Sequence, residues 1–305
     1  MSGGTWVVVV NWNGGDANQA CLRSVAAEGV PPARVVFVDN ASTDGSDRRV
    51  AEKHPGIALL RNQRNEGFGH GANRGIRHAL EHGAERVFVL NNDATLAPGC
   101  LALLEAELAR APQVGIVGPR ICLAGEPETL WCAGGRLTFR QNLSTLIGFH
   151  EPDGPRFRGT ADVDYVTGCA MLVRREVFER AGLFDGAYFA YHEDVELCAS
   201  AREAGFASRV VGEALALHDA HTSTGGGYNP RRKYMMAVNT VWFLRKHGSP
   251  WRWLSFALFD VCTLPLVWVA HALRGEGRAA AAKARGTWDG LRGRRVSAES
   301  LARRR

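Results

Sequence analysis

No C-x-x-C pair occurs in this chain of 305 residues, and its seven cysteines, Cys21, Cys100, Cys122, Cys132, Cys169, Cys198 and Cys262, are scattered and odd in number. Neither a disulfide framework nor a zinc ribbon is indicated, and the thiols read as reduced core residues. No G-x-G-x-x-G follows the first apolar run and no G-x-x-x-x-G-K-[ST] occurs, so dinucleotide-dehydrogenase and P-loop readings lose their main support. The N-terminus, MSGGTWVVVVNWN, has no basic segment ahead of its apolar run, which is itself too short for a signal peptide. Cytoplasmic placement is expected. Internal repeats are lacking as well.

What is present is a globular composition, 46% hydrophobic and 22% charged, with enough length for one large or two small domains. The net charge of +6 hides a division at Pro230. Residues 1–230 carry 21 Lys and Arg against 27 Asp and Glu, a balance of −6, whereas residues 231–305 carry 16 against 4, a balance of +12. An acidic body of 1–230 and a basic tail of 231–305 are expected to be distinct parts.

In the body, short β-branched runs at 6–10, 35–38, 87–90 and 114–117, with a weaker one at 57–60, alternate with helical patterns. Asp16 can cap a helix ending near Gly29, residues 71–82 form another stopped by Gly83, and Pro98 marks the start of a third. This order predicts an α/β fold, a mostly parallel, Rossmann-like sheet flanked by helices. From 126 to 162 the pattern loosens into Gly, Pro and charged residues with short possible strands, and predicts an irregular insertion or acceptor-side region. Helices are expected at 175–181 and 195–204, and a strand near 209–211. The tail opens with a helical stretch at 234–246 and continues as WRWLSFALFDVCTLPLVWVAHAL. Residues 253–273 are long enough to span a bilayer, but Asp260 would cost about 2.5–3.5 kcal/mol at its centre and Pro265 interrupts the helix. An interfacial or re-entrant helical segment on an anionic membrane surface is expected instead.

Ligands of open parallel sheets bind beyond the carboxyl ends of the strands. Here those ends read NWNGG, DNASTDGS and NNDA. Asp39 stands where a carboxylate can accept the imide N–H of a uracil or thymine, and Asp93 where it can hold a divalent cation.

The ordered set VVNWNG (9–14), VDNASTDGS (38–46), NEGFGHGANRG (65–75), LNNDA (90–94), GCAMLVRREVFERAGLFD (168–185), YHEDVELCASAREAGF (191–206) and His218 with Ser223 resembles family 2 glycosyltransferases of the GT-A fold. Within them it is most similar to the rhamnosyltransferase-type members of bacterial surface polysaccharide synthesis. The resemblance implies a nucleoside diphosphate sugar donor, a lipid-linked or polysaccharide acceptor, and Mg²⁺ or Mn²⁺. The family's D-x-D motif reads Asn91-Asn92-Asp93 here. Asp93 is then the implied metal ligand, with His218 approaching the metal or diphosphate from the far side. In place of the first carboxylate, Asn91 is expected to bond the ribose or a metal-bound water.

Asn11, Asn65, Gly67, Asn73 and Asn92 are further expected around the nucleotide, and Gly168 and Cys169 around the donor sugar. The implied base is Asp194, with Glu193 orienting the acceptor or tuning the base, both favoured as anions by a helix start. Each motif alone also admits a plainer role: a polar turn for Asp39 to Asp44, a helix cap for Glu193 and Asp194, and a satisfied buried histidine for His218. A UDP-hexose-dependent transferase, a non-catalytic nucleotide-sugar-binding protein and a nucleic-acid-binding tail stand as alternatives. The expected partners include a cytoplasmic membrane face and exclude nucleic acid.

Overall fold

The β-branched runs of the first 120 residues form the strands that the pattern predicts. In a computed structural model describing residues 4–140, 142–219, 229–273, 276–298 and 301, β1 (Thr5–Asn11), β2 (Val35–Asp39), β3 (Ala58–Arg61) and β4 (Arg86–Asn91) lie parallel. Between them run α1 (Ala17–Ala27), α2 (Ser46–Lys53) and α3 (Phe68–Glu81). Both faces of β1 are buried: Trp6, Val8 and Val10 enter one core, and Val7 and Val9 the other. This is why its sequence is continuously apolar rather than alternating. The first helix begins after Asp16 as expected, but the Asp16 side chain makes no capping bond. Helix α3 starts three residues before the expected 71, and a Cβ on its Gly71 would come within 2.8 Å of Val10.

A short strand β5 (Ala94–Leu96) and helix α4 (Cys100–Arg110) lead to β6 (Val114–Leu123). The stretch 126–162 is more regular than an irregular insertion, and its short possible strands are realised. That stretch holds β7 (Glu126–Cys132), β8 (Gly135–Arg140), β9 (Asn142–Leu146) and β10 (Thr160–Val163), with β8 and β9 paired antiparallel. Then follow β11 (Ala170–Arg174), α5 (Arg175–Ala181), α6 (Glu193–Glu203) and β12 (Ala207–His218). The main sheet runs β10-β12-β6-β11-β4-β1-β2-β3. Because β11 is antiparallel to β4, with Ala170 opposite Leu90, the residues entering β11 sit beside those leaving β4.

The tail forms α7 (Pro230–His247), α8 (Pro250–Phe256), a π-helical turn (Ala257–Val261), α9 (Leu264–Ala272) and α10 (Gly277–Leu291). From Pro250 to Ala272 these make one 23-residue helical stretch, long and apolar enough to cross a membrane. Helix α10 lies along α7, where the Tyr234 hydroxyl donates to Asp289 Oδ2 at 2.9 Å. Six cysteines are buried, while Cys262 on the apolar stretch is exposed.

Candidate active site

Strands β1, β2 and β4 end side by side, with Asn11 opposite Asp39 and Val10 opposite Asn91. At this edge Asn11 is fully buried. Its Nδ2 lies 2.7 Å from Asp39 Oδ1, 2.9 Å from Ser46 Oγ and 3.0 Å from Ser42 Oγ. Its Oδ1 accepts from the Gly14 N–H and from Asn92 Nδ2, which also donates to Asn18 Oδ1 at 2.9 Å. The amides of Asn11 and Asn92 therefore meet one another and the loop after β1. They brace Asp39, whose Oδ2 accepts the Ser42 N–H at 2.9 Å.

The glycine-rich segment at 65–75 divides in the same way. Asn65 holds the Gly67 N–H through its side-chain oxygen at 2.9 Å. Gly67 has φ 99°, and a Cβ there would fall on the Phe189 carbonyl. The Asn73 amide exchanges two hydrogen bonds with the Phe184 backbone, at 2.7 and 3.0 Å. It pins the loop ahead of α6.

Beyond β4, Asn91 is half-buried and gives its backbone N–H to the Cys169 carbonyl at 2.8 Å. The Cys169 side chain packs into the core, where burial first, and then the charge of Asp93, push its thiol well up. Asp93 is nearly buried, and its Oδ1 stands 3.2 Å from His218 Nε2. Antiparallel pairing of β12 with β5 places His218 opposite Ala94, and the Asp219 N–H donates to the Asp93 carbonyl at 3.0 Å. The Trp131 ring stands edge-on to His218 with centroids 4.5 Å apart. Ser223 lies outside the described residues.

Glu193 and Asp194 open α6, the first buried and the second half-buried among the loops that close this edge. Asp194 Oδ2 accepts the Gly168 N–H and Oδ1 the Val195 N–H, at 2.9 and 2.8 Å. Glu193 Oε2 is buried with no hydrogen-bond partner. The helix start predicts an anionic pair, but desolvation outweighs it. Burial, and after it the Asp194 charge, push Glu193 up to about 8. Burial also raises Asp194, opposed by the N–H groups of Gly168, Val195 and Asp194 itself. Beside them the His192 imidazole is held neutral, lowered to about 3 by burial and then by Arg232.

A family model described as "Glycosyltransferase like family 2" matches residues 3–235. The chain is a family 2 glycosyltransferase. This transferase is 30% identical over 266 residues to an N-acetylglucosaminyl-diphospho-decaprenol L-rhamnosyltransferase of Mycobacterium tuberculosis, covering 81% of this chain and 86% of that protein. It is 24% identical over 257 residues to the dTDP-rhamnosyl transferase RfbF of Shigella flexneri, covering 82% and 83%. Among solved structures, the Pyrobaculum calidifontis mannosyltransferase PcManGT in complex with GDP-Man and Mn²⁺ superposes with a TM-score of 0.58 at 19% identity, over 95% of this chain and 88% of that one. GalNAc-T7 with UDP, GalNAc and Mn²⁺ gives 0.59 at 17%, over 80% and 48%. The fold is GT-A.

The transferase's Asp93 and His218 fit a divalent cation. Adjacent ligands of an octahedral ion with bonds of roughly 2.1 Å stand about 3 Å apart, which matches the observed 3.2 Å. Among the described residues no group of three or more His, Cys, Asp or Glu side chains forms such a site, so a donor's diphosphate oxygens would complete the set. Sequence patterns gave no sign of Asn18 or Trp131, whose roles depend on partners far along the chain. His192 stood inside the YHED motif without a role.

Proposed function

We propose that the protein transfers L-rhamnose, with inversion, from dTDP-rhamnose to a saccharide carried on a polyprenyl diphosphate at the cytoplasmic face of the membrane. The observation that carries the reading is the carboxylate pair: Asp194 held by the Gly168 N–H, beside a Glu193 that burial keeps protonated. Burial raises both carboxylates, and Asp194, whose anionic form the Gly168 and Val195 N–H groups favour, serves as the base. The acceptor hydroxyl attacks the anomeric carbon and its proton passes to Asp194. The new C–O bond forms as the bond to the diphosphate oxygen breaks and the electron pair leaves with the diphosphate. Asp93 and His218 are the residues that would hold Mg²⁺ or Mn²⁺, which when bound supplies neutralisation of the diphosphate charge. The names of the relatives support rhamnose and the lipid-linked acceptor.

A panel of nucleotide sugars, assayed with lipid-linked acceptor and Mn²⁺, tests the donor. Transfer from dTDP-rhamnose is expected, and preference for a UDP-hexose would replace the rhamnosyl reading. Asp194→Asn is expected to lower transfer by about 10²–10⁴-fold while nucleotide binding, followed by thermal shift, persists. Retained transfer would remove Asp194 as the base.

A further inference from the structure

We infer that Asn239, on α7 of the basic tail, is a positioning residue for the Glu193–Asp194 pair; the inference rests on the catalytic reading given above. Tyr191 and His192, immediately ahead of the pair, both have left-handed backbone, with φ of 70° and 68°. Side chains crowd the neighbouring carbonyls in that region, so two such residues in succession persist only where the surroundings hold them. The fully buried Asn239 amide supplies the hold, donating to the Ala190 carbonyl at 2.9 Å and to the Tyr191 carbonyl at 2.7 Å. One planar NH₂ group thus fixes the two carbonyls that lead into the turn. From the same helix the Arg232 guanidinium lies 5.4 Å from the centre of the Tyr191 ring. Neither ring nitrogen of His192 has a hydrogen-bond partner, so the imidazole is not what secures the turn.

The turn sets the direction in which the chain enters α6. Its first two residues are the carboxylate pair, and a different entry would swing both away from Gly168. Asn239 lies past the end of the segment matched by the family model, in the part that composition marks as the basic tail. That tail therefore contributes to the geometry of catalysis as well as to the location of the protein.

The test compares full-length wild type with Asn239→Ala and Asn239→Asp. Asn239→Ala is expected to lower kcat by about 10- to 100-fold, the scale of a misplacement near 1 Å, with the donor KM within about twofold. Amide exchange should quicken at 191–195 while β1 and β4 stay protected. Asn239→Asp keeps the shape but turns an acceptor toward two carbonyl oxygens, and should fall at least as far. If Asn239→Ala does not fold, Asn239→Ser, which retains one donor, should show a smaller loss of the same kind. A folded variant with kcat within twofold of wild type, or exchange that quickens evenly over the chain, would overturn the proposal. If wild type transfers from no nucleotide sugar, the catalytic reading fails, while the exchange measurement still decides whether Asn239 holds the turn.

Discussion

Glu193 keeps its proton to about 8 where an ordinary glutamate releases it near 4.5. Because the folded value lies above the unfolded one, proton binding contributes stability that is complete below the ordinary range and is lost as pH rises through about 8. The thermal midpoint of wild type is expected to fall between pH 5 and pH 9 by more than that of Glu193→Gln, and equal declines would show that Glu193 is ionised in the fold. At this scale the sequence is legible for carboxylates and much less so for amides. Asp93, Asp194 and His218 each admit a plain structural role alone, and they stand out only through the order of the motifs that carry them. Asn11, Asn73 and Asn92 share the same motifs, yet their bonds are internal. An amide donates and accepts equally well, so its partner is chosen by tertiary distance, which a linear motif does not contain.

Between elements, ion pairs tie the tail to the body and to itself. His247 bridges Glu203 at 2.7 Å and Glu196 at 3.2 Å, joining α7 to α6. Within the tail, Asp260 in the π-helical turn meets Lys283 of α10 at 2.6 Å, both nearly buried. Removing one member of such a pair strands the other charge, and Lys283→Met is expected to destabilise by about 3–5 kcal/mol. The double variant Asp260→Leu/Lys283→Met should recover most of that loss, and a double-mutant cycle by chemical denaturation measures the difference. Parallel strands were readable because burial on both faces leaves continuous β-branched runs. The strands of 126–162 were less so, since β7 and β8 mix exposed, half-buried and buried residues with no steady alternation. They are placed by distant groups such as the buried Arg120, which pairs with Asp153 and donates to the Gly212 carbonyl.

For the molecule as a whole, the apolar stretch Pro250–Ala272 pairs its charged side chains and its histidine within the fold. Arg252 donates to the His247 carbonyl, Asp260 meets Lys283 and His271 meets Glu276. Trp251, Leu258, Phe259, Leu266, Trp268 and Val269 face outward. Asp260, which on the sequence argued against immersion, is neutralised within the fold, and the outward face suits a bilayer interface beside a tail of +12. Leu266→Glu with Trp268→Glu should abolish co-flotation of the full chain with anionic vesicles and leave nucleotide binding intact; continued flotation would place the contact elsewhere. On the proposed reading, a protein held this way and acting on a lipid-linked acceptor would sample that acceptor in two dimensions. Its rate then follows the mole fraction of acceptor among the lipids instead of its bulk concentration, and diluting the acceptor with inert lipid slows turnover even when the total amount of acceptor is unchanged.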